Sequence, residues 1–381
     1  VKSSQPVVAR RVAFHIYSLE HGGAERVTSI LANKLSERDI EVTVFVMKAI
    51  NCNSYRLAKD VRVVNVSMDP ALENTGTGLL FNIRRLFVLR RLVKEFSPQV
   101  LYTMLVRGNV IGSFAMIGSG IPCVVSERND PKYDVVSMPW RILRRIAYSV
   151  CHGVVAQTPR VEQWLRHNTK ASTIKVISNP VEYPVPDGSP FIEVPSHRGP
   201  MIVAVGRLCP QKQFTHLIAV FSALTREFPD WWLAILGDGP DRESLATQIS
   251  DARMTEKISL VGRVGNMSDW YREADIFVMT SRYEGYPNAL IEAMASGVPA
   301  VSYDCPSGPA DVIQDGVNGM LVEPDSTDEL ERKMRLVMSD SSLAAELSER
   351  ALEVRELLDP DVILAQWLSV VNLYISSTAY K

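Results

Sequence analysis

Short runs of apolar, often β-branched residues recur along this chain, and helical segments lie between most of them. That rhythm stops at one proline-rich stretch and then starts again. In the first half the runs are Arg11 to Ser18, Glu41 to Met47, Val100 to Met104, Cys123 to Ser126, Gly153 to Gln157 and Ile174 to Ile177. In the second half they are Met201 to Val205, Trp232 to Leu236, Ile258 to Val261, Ile276 to Met279 and Ala300 to Tyr303. Strands alternating with helices argue for mostly parallel sheets covered on both faces. Between Pro180 and Pro200 stand six prolines, at 180, 184, 186, 190, 195 and 200. Proline fixes φ and lacks a backbone donor, so this stretch reads as a linker between two cores. A chain of 381 residues is also longer than one core comfortably supports. The expectation is therefore two doubly wound α/β domains facing across a cleft, with ligands at the carboxyl ends of the strands. Residues 1–183 would form the first domain, 184–199 the linker and 200–360 the second domain. A last amphipathic helix within 361–381 would return to the first domain.

Composition narrows the functional class. The longest uncharged stretch, Val110 to Ser126, holds three glycines and a proline and is too short and broken for a membrane span. No charged-then-apolar leader opens the sequence, which starts at Val1. The cysteines Cys52, Cys123, Cys151, Cys209 and Cys305 are scattered, odd in number and never spaced as C-x-x-C. They read as reduced thiols of a cytoplasmic protein, not as a disulfide framework or a zinc site. The near-neutral net charge hides an asymmetry. Residues 1–190 carry 25 Lys/Arg against 15 Asp/Glu, and residues 191–381 carry 16 against 28. A basic half suggests an anionic partner.

The most informative segment runs Ser281-Arg-Tyr-Glu-Gly-Tyr-Pro-Asn-Ala-Leu-Ile-Glu-Ala-Met-Ala-Ser-Gly297. It follows a strand, turns at Gly285 and Pro287, and enters a helix that stops at Gly297. Glu284 precedes that helix and Glu292 lies inside it, with seven residues between them. The amides of Asn288, Ala289 and Leu290 would form a phosphate cradle at the helix N-terminus. Glu292 could accept two hydrogen bonds from vicinal ribose hydroxyls. Upstream, Val205-Gly206-Arg207 ends a strand and Lys212 follows. A guanidinium fork and a mobile ammonium suit a diphosphate that gains negative charge as a bond breaks. Gly22 and Gly23, after the first strand, offer a second close backbone approach, although the full G-x-G-x-x-G pattern is absent.

These residues carry a resemblance over nearly the whole chain, densest from Val203 to Val322. The matching pieces are Gly22-Gly23-Ala24-Glu25-Arg26, Ser178-Asn179-Pro180, Val205-Gly206-Arg207, Lys212, Gly237-Asp238-Gly239-Pro240, Tyr283-Glu284-Gly285 through Gly297, and Ser307-Gly308-Pro309. The chain resembles the retaining glycosyltransferases of family 4, built from two Rossmann-like domains in the GT-B fold. With Gly285 to Asn288 and Pro306 to Pro309, it looks most like bacterial enzymes of lipid-linked glycan, O-antigen or capsule assembly. The resemblance implies that Arg207 and Lys212 hold the donor diphosphate and Glu292 the ribose. Glu284 would lie against the transferred sugar, with Gly262 and Arg263 near the base. It also implies retention at the anomeric carbon, no protein nucleophile, no cofactor and no essential metal. One departure stands out. Where many family members place a His in the first domain, this chain reads Ser126-Glu127-Arg128-Asn129, so Glu127 or Arg128 would contact sugar or acceptor instead. Arg107 and Asn109, which also follow a strand, are further acceptor candidates, with a helix cap as the competing reading.

Arginines recur in two predicted helices. Arg84, Arg85, Arg90 and Arg91 lie in one; Arg141, Arg144 and Arg145 lie in the other and read as sharing a face. Apolar residues fall among them, which suits an anionic membrane surface or a lipid diphosphate, with a solvated face on a buried helix as the rival reading. The resulting expectation is a peripheral enzyme at the cytoplasmic face of the membrane. It would move a hexose or N-acetylhexosamine from a UDP-sugar to a polyprenyl-diphosphate-linked saccharide, with no nucleic-acid partner. Two rivals remain. An epimerase or phosphorylase of the same fold would be told apart by its products. A non-catalytic nucleotide-sugar-binding subunit would bind nucleotide without turnover.

Overall fold

The computed structural model describes residues 9–20, 22–51, 54–69, 72, 78–134, 136–195 and 199–378. The chain divides into two compact units, one made of Val1–Pro180 with Pro360–Lys381 and the other of Val181–Asp359. His21, in the first glycine motif, and Cys52 lie outside the described residues.

In the first unit the strands are β1 (Arg11–Ile16), β2 (Glu41–Val46), β3 (Arg62–Asn65), β4 (Val100–Met104), β5 (Cys123–Ser126), β6 (Gly153–Ala156) and β7 (Ile174–Val176). They form one parallel sheet in the order β3-β2-β1-β4-β5-β6-β7. The order reverses between β1 and β4, which opens a crevice at the carboxyl ends of those two strands. Strand alternation explains the two covered faces. Ala13 and Leu101 join a core with the helices Leu79–Phe96, Val106–Met116 and Met138–Val150. Phe14 and Tyr102 face the other way and stack at 5.4 Å. Tyr102 then meets Trp367 edge-on at 5.1 Å and donates to its carbonyl at 2.9 Å. Trp367 belongs to the helix Pro360–Thr378, which packs beside the helix Gly23–Ser36. Truncating this buried indole to alanine should cost about 3–5 kcal/mol.

The second unit holds β8 (Met201–Val205), β9 (Trp232–Leu236), β10 (Ile258–Gly262), β11 (Ile276–Met279), β12 (Ala300–Tyr303) and β13 (Met320–Val322). They form a parallel sheet in the order β10-β9-β8-β11-β12-β13, with its reversal between β8 and β11. Two strands escaped the sequence reading, β3 and β13, and each is an edge strand. At four and three residues they are too short to stand out as apolar runs, and β3 also begins with Arg62 and ends with Asn65.

The proline-rich stretch forms neither helix nor strand between residues 181 and 195. It is nevertheless bonded along the second unit. Gly188 donates to the Gly265 carbonyl at 2.8 Å, and the Asn266 side chain brackets the backbone of Ile192 at 2.9 and 3.0 Å. Proline removes donors only at its own positions, and the amides of Val181, Gly188 and Ile192 find acceptors.

Candidate active site

Arg207, Lys212, Glu284 and Glu292 follow β8 and β11, where the sheet order of the second unit reverses, whereas Gly262 and Arg263 stand at the end of the edge strand β10. After β8 the chain makes a single 3-10 turn at Pro210–Lys212, and after β11 it runs through Thr280 to Glu284. Lys212 Nζ lies 2.5 Å from Glu284 Oε1. Both side chains are mostly buried, at 17% and 10% exposure. The two loops are fastened at several points. Gln211 Nε2 donates to the Tyr283 carbonyl at 2.7 Å, Arg282 N to the Gln211 carbonyl at 2.8 Å, and Thr280 Oγ1 to the Lys212 carbonyl at 2.8 Å. Beneath them, Gly237 has φ +135°, and a Cβ there would fall 1.9 Å from the Gly206 carbonyl oxygen, so only glycine lets these two strand ends meet. Removing one partner of a buried pair strands the other charge, which makes Lys212 and Glu284 interdependent.

Around that pair the polar groups differ in their freedom. Arg207 and Arg263 are exposed and, among the described residues, make no hydrogen bond or ion pair. Gly262, at φ +91°, accepts the Gly237 amide at 2.7 Å. Glu292 is buried in the helix Asn288–Ala295, with Tyr271 donating to its Oε2 at 3.2 Å. At the head of this helix the expected cradle of three amides is reduced. Asn288 N donates to the Tyr286 carbonyl at 3.0 Å, so only the Ala289 and Leu290 amides are without an acceptor among the described residues. The turn Ser307-Gly308-Pro309 braces this loop. Gly308 has φ +125°, its Cβ would strike Pro287 at 2.4 Å, and the neighbouring Pro306 carbonyl accepts the Glu284 amide at 3.3 Å. Tyr271, Gln211 and Thr280 are the residues here that motif reading missed, since each acts through a bond to a residue distant in sequence.

The first unit is arranged differently. Gly22 caps the helix Gly23–Ser36 in an extended conformation, its carbonyl accepting Arg26 N at 3.0 Å, and Gly23 is exposed. Asn109, expected at an acceptor site, is fully buried and committed inside. It accepts from Thr103 Oγ1 at 2.9 Å and donates to the Ser126 carbonyl at 2.8 Å and to Tyr148 Oη at 2.9 Å. Tyr148 in turn donates to Glu127 Oε2 at 2.7 Å. Glu127 is itself buried, and burial pushes its carboxyl up to about 7 against the pull of Arg144 and Tyr148. Arg128 is also buried, its Nη2 on Asn179 Oδ1 at 2.5 Å. Asn109, Glu127 and Arg128, which the sequence offered as acceptor or sugar contacts, are thus buried and bonded inside the fold. Arg107 is exposed, with its guanidinium 5.5 Å from the centre of the Trp140 ring.

The arginines of the two basic helices also divide. Arg144 is buried over the Trp164 ring, with Glu127 at 3.7 Å and Asp134 at 4.0 Å, so it does not share the outer face of Arg141 and Arg145. Arg85 is buried too, and Arg90 caps the end of a neighbouring helix through the carbonyls of Ala115 and Ile117, each at 2.6 Å. Arg85 and Arg144 are thus turned away from the surface, and Arg90, half-buried, is spent on that helix end. Arg84, Arg91, Arg141 and Arg145 remain exposed, Arg91 paired with Asp69 and Glu95. The outer face of the helix Met138–Val150 carries a further feature. Met138, Ile142, Ile146 and Val150 recur every fourth residue and are all exposed. That spacing was legible in the sequence but was hidden behind the arginines.

Comparison with known proteins agrees with this division. Residues 189–354 match the model described as Glycosyl transferases group 1, and residues 21–183 match Glycosyltransferase Family 4. Over 364 residues the chain is 26% identical to a Campylobacter jejuni protein, covering 95% of this chain and 98% of that one. That protein is named GalNAc-alpha-(1->4)-GalNAc-alpha-(1->3)-diNAcBac-PP-undecaprenol alpha-1,4-N-acetyl-D-galactosaminyltransferase. A 225-residue stretch is 33% identical to an exopolysaccharide phosphotransferase of Streptomyces coelicolor, spanning 59% of this chain but only 24% of that protein's length. Among solved structures, Anabaena HepE in complex with UDP superposes with a TM-score of 0.77 at 18% identity, covering 95% of this chain and 99% of that one. The chain is a glycosyltransferase of the GT-B fold and belongs to the family that joins a Glycosyltransferase Family 4 half to a group 1 half.

Proposed function

We propose that the chain transfers a hexosyl or N-acetylhexosaminyl unit from a UDP-sugar to a saccharide carried on a polyprenyl diphosphate, with retention and without a metal ion. The observation that carries this reading is the Lys212–Glu284 pair at the carboxyl ends of β8 and β11, with the exposed Arg207 on the same β8 loop. Arg207, Lys212 and the Ala289 and Leu290 amides would take the donor diphosphate, and Glu292, steadied by Tyr271, the ribose. Gly262 and Arg263 would lie near the base, and Glu284 would accept hydroxyls of the sugar. As the bond from the anomeric carbon to the diphosphate oxygen breaks, charge builds on that oxygen. The acceptor hydroxyl attacks from the same face, and its proton passes to the departing diphosphate. Cations aimed at such developing charge are worth about 3–4 kcal/mol of barrier each.

Two relatives support the choice of ligands. HepE is described in complex with UDP, and the name of the Campylobacter protein includes a PP-undecaprenol acceptor. A peripheral position on the membrane fits the exposed apolar stripe of Met138–Val150 beside Arg141 and Arg145. No helix among the described residues is long and apolar enough to cross a membrane. The test is product analysis with UDP-glucose, UDP-galactose and their N-acetylamino forms, offered with a prenyl-diphosphate saccharide in EDTA. A product keeping the donor's anomeric configuration supports the reading. Turnover that requires manganese, inversion of configuration, or conversion of the donor without any acceptor contradicts it.

A further inference from the structure

We propose that the first unit contains an anion site of its own, formed by Arg107 and the uncapped first-turn amides of Val106–Met116 above the buried guanidinium of Arg85. Its ligand would be a phosphate or diphosphate group of the acceptor, an assignment that rests on the transfer reading above. The site stands at the carboxyl ends of β1 and β4, where the order of the first sheet reverses.

The argument starts from Arg85, which is 5% exposed. A buried guanidinium is costly unless a carboxylate accompanies it. Of the other buried arginines of this unit, Arg144 has two carboxylates within 4.0 Å and Arg128 donates to Asn179 Oδ1 at 2.5 Å. Arg85 has none among the described residues. Its Nη2 lies 3.3 Å from His15 Nε2, and its Nε has no acceptor. His15 brings no counter-charge, since an imidazole is neutral or cationic, and burial, reinforced by Arg85, holds it neutral down to about 3. Burial lowers Arg85 itself to about 10; Tyr17 opposes that shift, and a second positive charge, Arg107, adds to it.

The local backbone points the same way. The helix Val106–Met116 begins here, and its N-cap residue, Leu105, supplies no side-chain hydrogen bond. Leu105 sits at φ +66°, unusual for a residue with a side chain. The amides of Val106, Arg107 and Gly108 therefore lack a capping oxygen, and the helix dipole adds positive potential at that end. Gly108 lies against the His15 ring, where a Cβ would be 3.7 Å from Nδ1, so this one ring connects the first turn to Arg85 at its Nε2. An incoming phosphate would meet the exposed Arg107 fork and the amides. Arg85 need not touch it, since a charge buried beneath acts through a medium of low dielectric.

The test is calorimetric titration of inorganic pyrophosphate and of geranyl diphosphate into the full chain in EDTA. It uses wild type, Arg107→Gln and Arg85→Met, each also in a Lys212→Ala background to remove the second unit's contribution. Both substitutions should weaken diphosphate binding by roughly tenfold or more, the scale of a charge-assisted hydrogen bond, and leave UDP affinity unchanged. Geranyl diphosphate binding more tightly than pyrophosphate would identify a lipid-linked source, and equal affinities a small free anion; either supports the site. Unchanged diphosphate affinity in Arg107→Gln, or no binding to wild type, overturns it. Arg107 is exposed, so that variant decides alone if Arg85→Met does not fold. Loss of UDP binding in wild type would instead sink the transfer reading and leave the comparison of diphosphate affinities standing.

Discussion

Both units wind a parallel sheet and reverse its order near the middle, yet they use the polar residues after their strands in opposite ways. In the second unit Lys212 and Glu284 meet at the reversal, Arg207 and Arg263 stay exposed, and glycine contacts hold the loops in place. In the first unit Thr103, Asn109, Tyr148 and Glu127 form a buried, directed chain of hydrogen bonds, and Arg144 and Arg128 are folded in with it. One set is open to the charged ligand proposed for it, while the other is bonded inside the scaffold. Residue type and position after a strand are therefore not enough to assign a role; burial and bonding capacity already spent must be counted as well.

Substitutions can break or sharpen that contrast. Glu284→Gln should lower kcat/KM for sugar transfer by about a hundredfold or more; a loss under threefold would remove Glu284 from the reaction. Asn109→Leu should leave UDP affinity unchanged but destabilise the first unit by roughly 3 kcal/mol, because three buried partners lose their bonds. Urea unfolding followed in the first unit would measure it, and an unchanged midpoint would deny the buried chain its structural role. Glu127 adds a pH signature. Its carboxyl is raised from the ordinary 4.5 to about 7, so the native state holds the proton more tightly than the unfolded chain. Stability of the first unit should be highest below the ordinary value and fall by on the order of 2–3 kcal/mol as pH rises to about 7, then level off. Glu127→Gln should flatten that slope, and a persisting slope would assign it to another group. The smallest effect on folding should come from Ile142→Ser with Arg145→Ser, within about 0.5 kcal/mol. The same pair should abolish co-sedimentation with phosphatidylglycerol vesicles, and unchanged co-sedimentation would contradict a membrane role for this face.

Inner strands such as β4, β5, β8, β9 and β12 were legible to the residue because both of their faces are apolar. The strands β3 and β13 were not, because four and three residues make too short an apolar run to read as a strand. The segment from Ser281 to Gly297 was readable because its glycine and proline positions dictate the backbone that presents Glu284. Arg85 and Arg144 were misread as surface charges because arginine is rarely buried. Only the fold brings Glu127 and Asp134 to Arg144, and leaves Arg85 without an acid. The Met138–Val150 stripe was visible at a spacing of four but was outweighed by the basic residues around it.

The most direct measurement is calorimetric titration of UDP into the full chain in EDTA, on wild type and on Lys212→Ala. The account predicts that wild type binds UDP without metal and that the substitution weakens binding by roughly tenfold or more, the scale of a lost charge-assisted contact. Equal affinity in both proteins, or no binding until a metal is added, would contradict a donor site built on Lys212 and Glu284.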